Sequence, residues 1–84
     1  MKITIKYFSW IRVKLKKGSE EFDFEKNTSF KTASNILIKK HPYFKEIFDD
    51  SSIKFFLNLS EIEDHEIILK DGDVIALLPP VTGG

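Results

Sequence analysis

Apolar and polar side chains alternate from the start of the chain, with Ile3, Ile5 and Tyr7 on one side and Thr4, Lys6 and Phe8 on the other. Successive side chains of a strand point to opposite faces, so this run predicts a half-buried strand with its odd positions inward. Phe8 breaks the pattern, because a large ring falls on the face of Thr4 and Lys6. Either the strand ends there and Phe8 packs on Trp10 or Ile11, or the ring stands exposed as part of a partner interface. Ser9 to Leu15 reads equally as a short helical turn or an irregular connection. Gly18-Ser19 signals a turn, and alternation resumes from Glu20 to Glu25 with Phe22 and Phe24 inward. The two runs read as an antiparallel hairpin.

Helical spacing takes over after Thr28 and Ser29, either of which can cap a helix. Phe30, Ala33, Leu37 and His41 recur at helical intervals, Ile36 widens the stripe, and Lys39 and Lys40 occupy the last turn, where the helix dipole favours cations. Pro42 disfavours helical geometry at His41 and ends the helix near there. Tyr43, Phe44, Ile47 and Phe48 predict one more short helical turn beneath a sheet. Ile53, Phe55, Leu57 and Leu59 then alternate with Lys54, Phe56, Asn58 and Ser60, a further strand with an aromatic, Phe56, on its polar side. Asn58 to Glu61 can turn the chain. Asp71-Gly72-Asp73 marks a tight reversal, and Val74 to Leu78, apolar on both faces, has the character of a central strand. The order is β-β-α-β-β. If the first and last strands lie side by side and parallel, the fold is α+β, a β-grasp with a mixed sheet packed on one main helix. Pattern alone leaves other α+β arrangements open.

Pro79-Pro80-Val81-Thr82-Gly83-Gly84 follow directly on that last strand. Proline fixes φ and lacks an N–H, so this segment extends neither sheet nor helix. The reading is one β-grasp domain over residues 1–78 and an extended C-terminal tail over 79–84. Glycine lets backbone pass where a Cβ would clash, and at a chain end there is no turn for it to make. The carboxylate of Gly84 is therefore the candidate working group, and Leu78, just before the tail, is expected to look toward whatever receives it.

Composition narrows the chemistry further. Thirteen basic and thirteen acidic residues cancel, so no global field steers the chain to nucleic acid or an anionic membrane. Lys14, Lys16 and Lys17 read as a solvated face. There is no cysteine, hence no disulfide, no thiolate metal site and no thiol nucleophile. His41 and His65 lie far apart without ligand spacing, and no metal site is expected. The first residues lack a signal peptide's apolar core and no run is long enough to cross a membrane, so a cytoplasmic protein is expected. No set of acid, base and nucleophile marks a stand-alone enzyme.

The last sixteen residues, Leu69 to Gly84, resemble the C-terminal signature of the MoaD/ThiS sulfur-carrier family: a Leu, an Asp-Gly-Asp turn, an apolar strand, Pro-Pro-Val, a small residue and Gly-Gly. More narrowly they resemble the small subunit of molybdopterin synthase. Phe8-Ser9-Trp10-Ile11-Arg12 and Leu57-Asn58 are similar to weaker family features upstream. Where many members carry two aromatics before Pro-Pro, this chain has Leu77 and Leu78.

The resemblance implies that a ubiquitin-activating-like adenylyltransferase uses ATP to adenylate Gly84, and that a sulfur donor protein then converts it to a thiocarboxylate. The tail, Pro79 to Gly83 included, would enter the large catalytic subunit of molybdopterin synthase, where the sulfur attacks a cyclic pterin precursor to build the molybdopterin dithiolene. The implied assembly is a heterotetramer, two carriers on a dimer of large subunits. No cofactor is expected on this chain itself. Phe8, Leu78 and Phe56 are the candidates for docking the partner. Related carriers serve thiazole synthesis or transfer-RNA thiolation, and a ubiquitin-like modifier would use the same terminus on lysine amines.

Overall fold

In the computed structural model, which describes residues 1–80, the first alternating run forms β1 (Lys2–Tyr7), with Ile3, Ile5 and Tyr7 all buried. The ambiguous stretch after it is helical: α1 spans Ser9–Leu15 and stops at Lys16, whose left-handed φ of 58° breaks the helix. β2 (Ser19–Asp23) returns antiparallel to β1, in the register Ile3↔Phe22 and Ile5↔Glu20. The hairpin is thus as expected, with a helix in place of a simple connection. Phe22 is half-buried and Phe24 buried just beyond the strand end.

Ser29 is the residue that caps α2 (Phe30–Lys40): its side chain accepts a hydrogen bond from the Thr32 backbone N–H at 3.1 Å. Phe30, Ala33 and Leu37 form the buried stripe, as their spacing predicts. His41 leaves helical geometry, with φ −136° and ψ 93°, in the extended region that a following proline favours. Pro42 then opens α3 (Tyr43–Asp49), two turns rather than the one expected. β3 (Lys54–Leu57), β4 (Ser60–Glu61) and β5 (Val74–Leu78) complete the sheet in the order β2-β1-β5-β3-β4. β1 and β5 are parallel neighbours at its centre, pairing Ile5 with Ile75 and Tyr7 with Leu77, and the other pairs are antiparallel. Two parallel strands need a crossover, and the chain between them supplies α2 and α3. The topology is the mixed-sheet β-grasp.

The core lies between the sheet and these helices. Ile3, Ile5, Tyr7, Ile75, Leu77 and Phe55 meet Phe30, Ala33 and Leu37 of α2 and Phe44 and Ile47 of α3. Phe44 is fully enclosed, with ring centroids 6.3 Å from Tyr7, 5.9 Å from Phe22 and 5.6 Å from Phe48. The phenylalanine-rich stretch from Tyr43 to Phe56 therefore has a largely structural role, since Phe44, Phe48 and Phe55 fill the space under a short sheet. The Asp71-Gly72-Asp73 turn adopts the expected reversal: Gly72 sits at φ 87°, open to glycine and strained for other residues. Its N–H donates to the Lys2 carbonyl at 2.8 Å, and the Lys2 N–H donates to Asp71 Oδ1 at 2.7 Å. These bonds hold the start of β1 against the strand that carries the tail.

Candidate functional site

Alternation along β5 sends Ile75 and Leu77 into the core and Val74, Ala76 and Leu78 to the opposite face, which no described helix covers. Cross-strand register sets their neighbours. Ala76 lies between Lys6 of β1 and Phe56 of β3, and Leu78 lies opposite Lys54. A methyl group flanked by longer side chains leaves a hollow. The result is an open groove of 650 Å³ lined by Lys6, Phe8, Phe56, Asn58, Leu59, Val74, Ala76 and Leu78. Among the described residues of that lining Lys6 alone is charged, so they offer apolar contact with a cation at the margin.

Phe8 reaches this face because of the local backbone. It is the extended residue before α1, at φ −133° and ψ 163°, and Ser9 turns the chain at φ 51°. The ring keeps 37% of its surface exposed, as does Trp10. The strand ends at Tyr7, as one reading of Phe8 has it, and the ring keeps the exposure that the other requires. Phe56 and Leu78 are half-buried in the same lining. Three residues far apart in sequence are thus brought together. Pro79 is buried and Pro80 exposed, so packing continues one residue beyond Leu78. The remaining tail positions, Val81, Thr82, Gly83 and Gly84, lie outside the described residues.

Val74, Ala76 and Leu59 are among the groove residues that the sequence pattern did not single out. Val74 and Ala76 read only as members of a two-faced apolar strand. Leu59 continues the alternation of β3 but also falls in the Asn58–Glu61 stretch that can turn the chain, and the turn is what forms: Leu57 pairs with Ser60, leaving Asn58 and Leu59 as a two-residue hairpin loop at φ 47° and 77°. Leu59 is 96% exposed. The available signal was a leucine directly after asparagine where a tight turn was due. Asn58 is locked to the head of β5: its Nδ2 donates to Asp73 Oδ1 at 2.8 Å, and its Oδ1 accepts from the Val74 N–H at 2.9 Å.

The two histidines take no part in the groove. His41 stacks near Tyr43 at 5.5 Å and His65 edges against Phe30 at 5.3 Å. Among the described residues, no cluster of three or more His, Cys, Asp or Glu side chains could hold a metal. No described helix is long and apolar enough to cross a membrane.

The sequence profile of the ThiS family matches residues 5–84. No curated protein sequence matches. Among solved structures, SAMP1 from Haloferax volcanii shares 22% identity with a TM-score of 0.83, covering 100% of both chains. The small archaeal modifier protein 1 from Methanosarcina acetivorans shares 26% at a TM-score of 0.74, over 99% of this chain and 96% of that one. A chain in the protein–protein complex of subunits 1 and 2 of molybdopterin-converting factor from Helicobacter pylori shares 31% at a TM-score of 0.72, over 100% of both.

Proposed function

The chain belongs to the ThiS family of small β-grasp sulfur carriers, and from that premise we propose that Gly84 is its working residue and the outer sheet face its docking surface. The observation that carries this reading is the groove at the root of the tail. Phe8, Phe56 and Leu78 line it, and the chain runs from Leu78 through Pro79 and Pro80 toward two glycines. A partner gripping the groove would hold the tail in place before it enters an active site, lowering the entropic cost of the reaction. The prolines restrict the free tail, so less freedom is lost on insertion.

A terminal carboxylate, with an ordinary pKa near about 3.5, is ionised at neutral pH and is a poor electrophile. In the proposed sequence its oxygen attacks the α-phosphorus of ATP on an adenylating partner, and pyrophosphate leaves. The outer sulfur of a donor protein's persulfide then attacks the acyl carbon and displaces AMP; a second thiol of the sulfur-donating machinery attacks the donor's inner sulfur and breaks the S–S bond, leaving a thiocarboxylate on Gly84 and a disulfide on the donor side. The chain holds no cysteine, so the sulfur it carries sits at its end. Acid–base groups and substrate binding belong to the partners, and this chain is not catalytic alone.

Three destinations fit. The likeness to modifier proteins, one at 26% identity and one at a TM-score of 0.83, favours a carrier that serves thiolation pathways or is itself joined to lysine amines. The 31% identity to a chain of the converting-factor complex, with Pro79-Pro80-Val81-Thr82 before the glycines, favours sulfur supply to a pterin through a large synthase subunit. The spread of likeness weighs for the broader role, with the pterin as one acceptor among others. Intact mass spectrometry of the chain from its own host tests the shared chemistry: one oxygen replaced by sulfur, mapped to Gly84. Removing Gly84 should abolish transfer and leave the fold intact; transfer that survives the deletion overturns the carrier reading. Gly-Gly remnants on lysines of other proteins would identify a modifier, and a pterin dithiolene lost with the deletion would identify the synthase role.

A further inference from the structure

The chain is neutral overall, but its charges are segregated. Residues 1–17 hold six cations and no carboxylate, whereas residues 61–66 hold four carboxylates and no lysine or arginine. Each cluster has an apolar centre. In α1, Ile11 is buried and Leu15 packs on the core. Val13, two residues from each, falls on the opposite side of the helix and keeps 76% of its surface exposed. Trp10, one turn earlier, lies on the same side. Arg12, Lys14, Lys16 and Lys17 are exposed around them. The result is an apolar knob set among cations.

Beyond β4 the chain builds the counterpart. An open pocket of 500 Å³ takes an apolar lining from Leu57, Ile62 and Ile67 and an acidic one from Glu61, Glu63 and Asp64. Leu57 shares the helix-covered face with Ile75, its register partner, so this pocket is distinct from the groove at the tail root. Some of the charges are already paired within the chain: Lys14 with Glu46, Lys17 with Glu20, Lys54 with Glu61 and Lys31 with Glu66. Among the described residues, Arg12 and Lys16 on one patch and Glu63 and Asp64 on the other make no ion pair.

We propose that the occupant of this pocket is a second copy of the chain: Val13 and Trp10 of one copy enter the pocket of another, with Arg12 and Lys16 against Glu63 and Asp64. One contact then matches knob to hollow and cation to carboxylate. A chain cannot seat its own helix there. α1 joins β1 to β2, and β5 and β3 separate β1 from β4, roughly 14 Å at the usual strand spacing. The contact is therefore heterologous and leaves each copy a patch open for a further one. Apolar burial supplies the attraction and charge sets the orientation, since exposed ion pairs contribute little by themselves. So small an area gives a weak, reversible association. α1 begins two residues after Tyr7, the register partner of Leu77, so a copy seated on α1 stands beside the root of the tail. A protein that takes the tail would displace it.

Sedimentation velocity on the full chain, from about 10 µM to about 1 mM at low salt, tests the inference. The parent should be monomeric at the lower end and associate with a midpoint near about 100 µM. Raising the salt to about 0.5 M should move that midpoint up about tenfold. Val13→Gln removes the knob and suits a helix, and Glu63→Lys reverses a charge at the pocket. Each alone should raise the association midpoint about tenfold or more while the thermal midpoint stays that of the parent. Mixed in equal amounts, the two variants should form a heterodimer at the parent's midpoint and grow no further, because one retains its pocket and the other its helix. A parent that stays monomeric throughout overturns the inference, as does a mixture that associates no better than either variant alone. So does a monomeric parent that binds short single-stranded RNA or anionic vesicles in its place, with Arg12→Glu abolishing that binding. Removing Gly84 should leave association unchanged, so loss of sulfur transfer and loss of association are read separately.

Discussion

The two faces of β5 are made of similar residues and do opposite things. Ile75 and Leu77 point inward and are 2% and 0% exposed, whereas Val74, Ala76 and Leu78 on the other side are left half-covered. Hydrophobicity alone does not separate the two sets. What separates them is whether a helix lies above: α2 and α3 cover one face, and no described helix covers the other. Burial on the inner face is the main stabiliser of a chain this small, because apolar area removed from water is the dominant favourable term in folding. The outer face, equally apolar, is only partly used for that purpose and remains free for association.

Substitutions on each side can break this contrast. The largest effect belongs to Phe44→Ala. The ring is fully buried among Tyr7, Phe22 and Phe48, and truncating such a phenylalanine costs about 3–5 kcal/mol. That is a large share of the roughly 5–15 kcal/mol a domain has. Urea denaturation should show a strongly lowered midpoint; a loss under about 1 kcal/mol would mean that the inner face is not a tightly packed core. On the outer face, Leu78→Gln is the matched test, chosen over a lysine because Lys54 lies directly opposite and like charges across a strand pair are unfavourable. It should change stability by less than about 1 kcal/mol and weaken binding to the tail's partner about tenfold or more, as titration calorimetry would read. Unfolding of this variant would place Leu78 in the core and erase the distinction between the faces.

Much of the inner face was legible in the sequence because burial imposes a period. Ile3, Ile5 and Tyr7 repeat every second residue and Phe30, Ala33 and Leu37 at helical spacing, and each set faces the core as its period requires. Ser29, Pro42 and Gly72 worked as punctuation for reasons of backbone geometry. Less was legible where tertiary contacts decide. α1 has only Ile11 buried, so its helix leaves no periodic trace, and β4 is two residues long. Phe8 and Phe56 were visible on the outer face as exceptions to alternation. Leu59 was not, because it continued the alternation of Phe55 and Leu57 while the backbone had already turned. Val74 and Ala76 were hidden by the same logic that made β5 a central strand: a run apolar on both faces does not say which face lacks a cover. The tail was legible only as chemistry and resemblance.

The smallest effect comes from a polar pair on the inner-facing side of the strands, the Tyr7 hydroxyl and the carboxylate of Glu20, which the register sets beside Ile5. The hydroxyl donates to Glu20 Oε1 at 2.7 Å, and Lys17 Nζ lies 3.0 Å from the other carboxylate oxygen. Burial pushes the Tyr7 hydroxyl well above its ordinary value of 10.0, and the bond to Glu20 adds to the rise. Burial would also raise the Glu20 carboxyl, but hydrogen bonds from Tyr7 and Lys17 and the Lys17 charge outweigh it and hold the group below 4.5. Because the folded value of Glu20 is depressed, its contribution is present above its unfolded value and is lost as pH falls through the folded one. Tyr7 acts in the opposite sense: its folded value is raised, so its contribution is full below 10.0 and is lost as pH climbs through the folded value. The pair should therefore leave stability flat between these limits and erode it at both ends. Glu20→Gln can still accept from Tyr7 but cannot titrate. Urea midpoints of the parent and Glu20→Gln, followed from about pH 7 down to 3, should converge at the acid end as the parent loses its advantage. Glu20 is only partly buried, so solvent screens the pair and the gap at neutral pH should stay under about 1 kcal/mol. Parallel curves would mean that the inner face is held by apolar contact alone and that the Tyr7–Glu20 pair adds nothing to the fold.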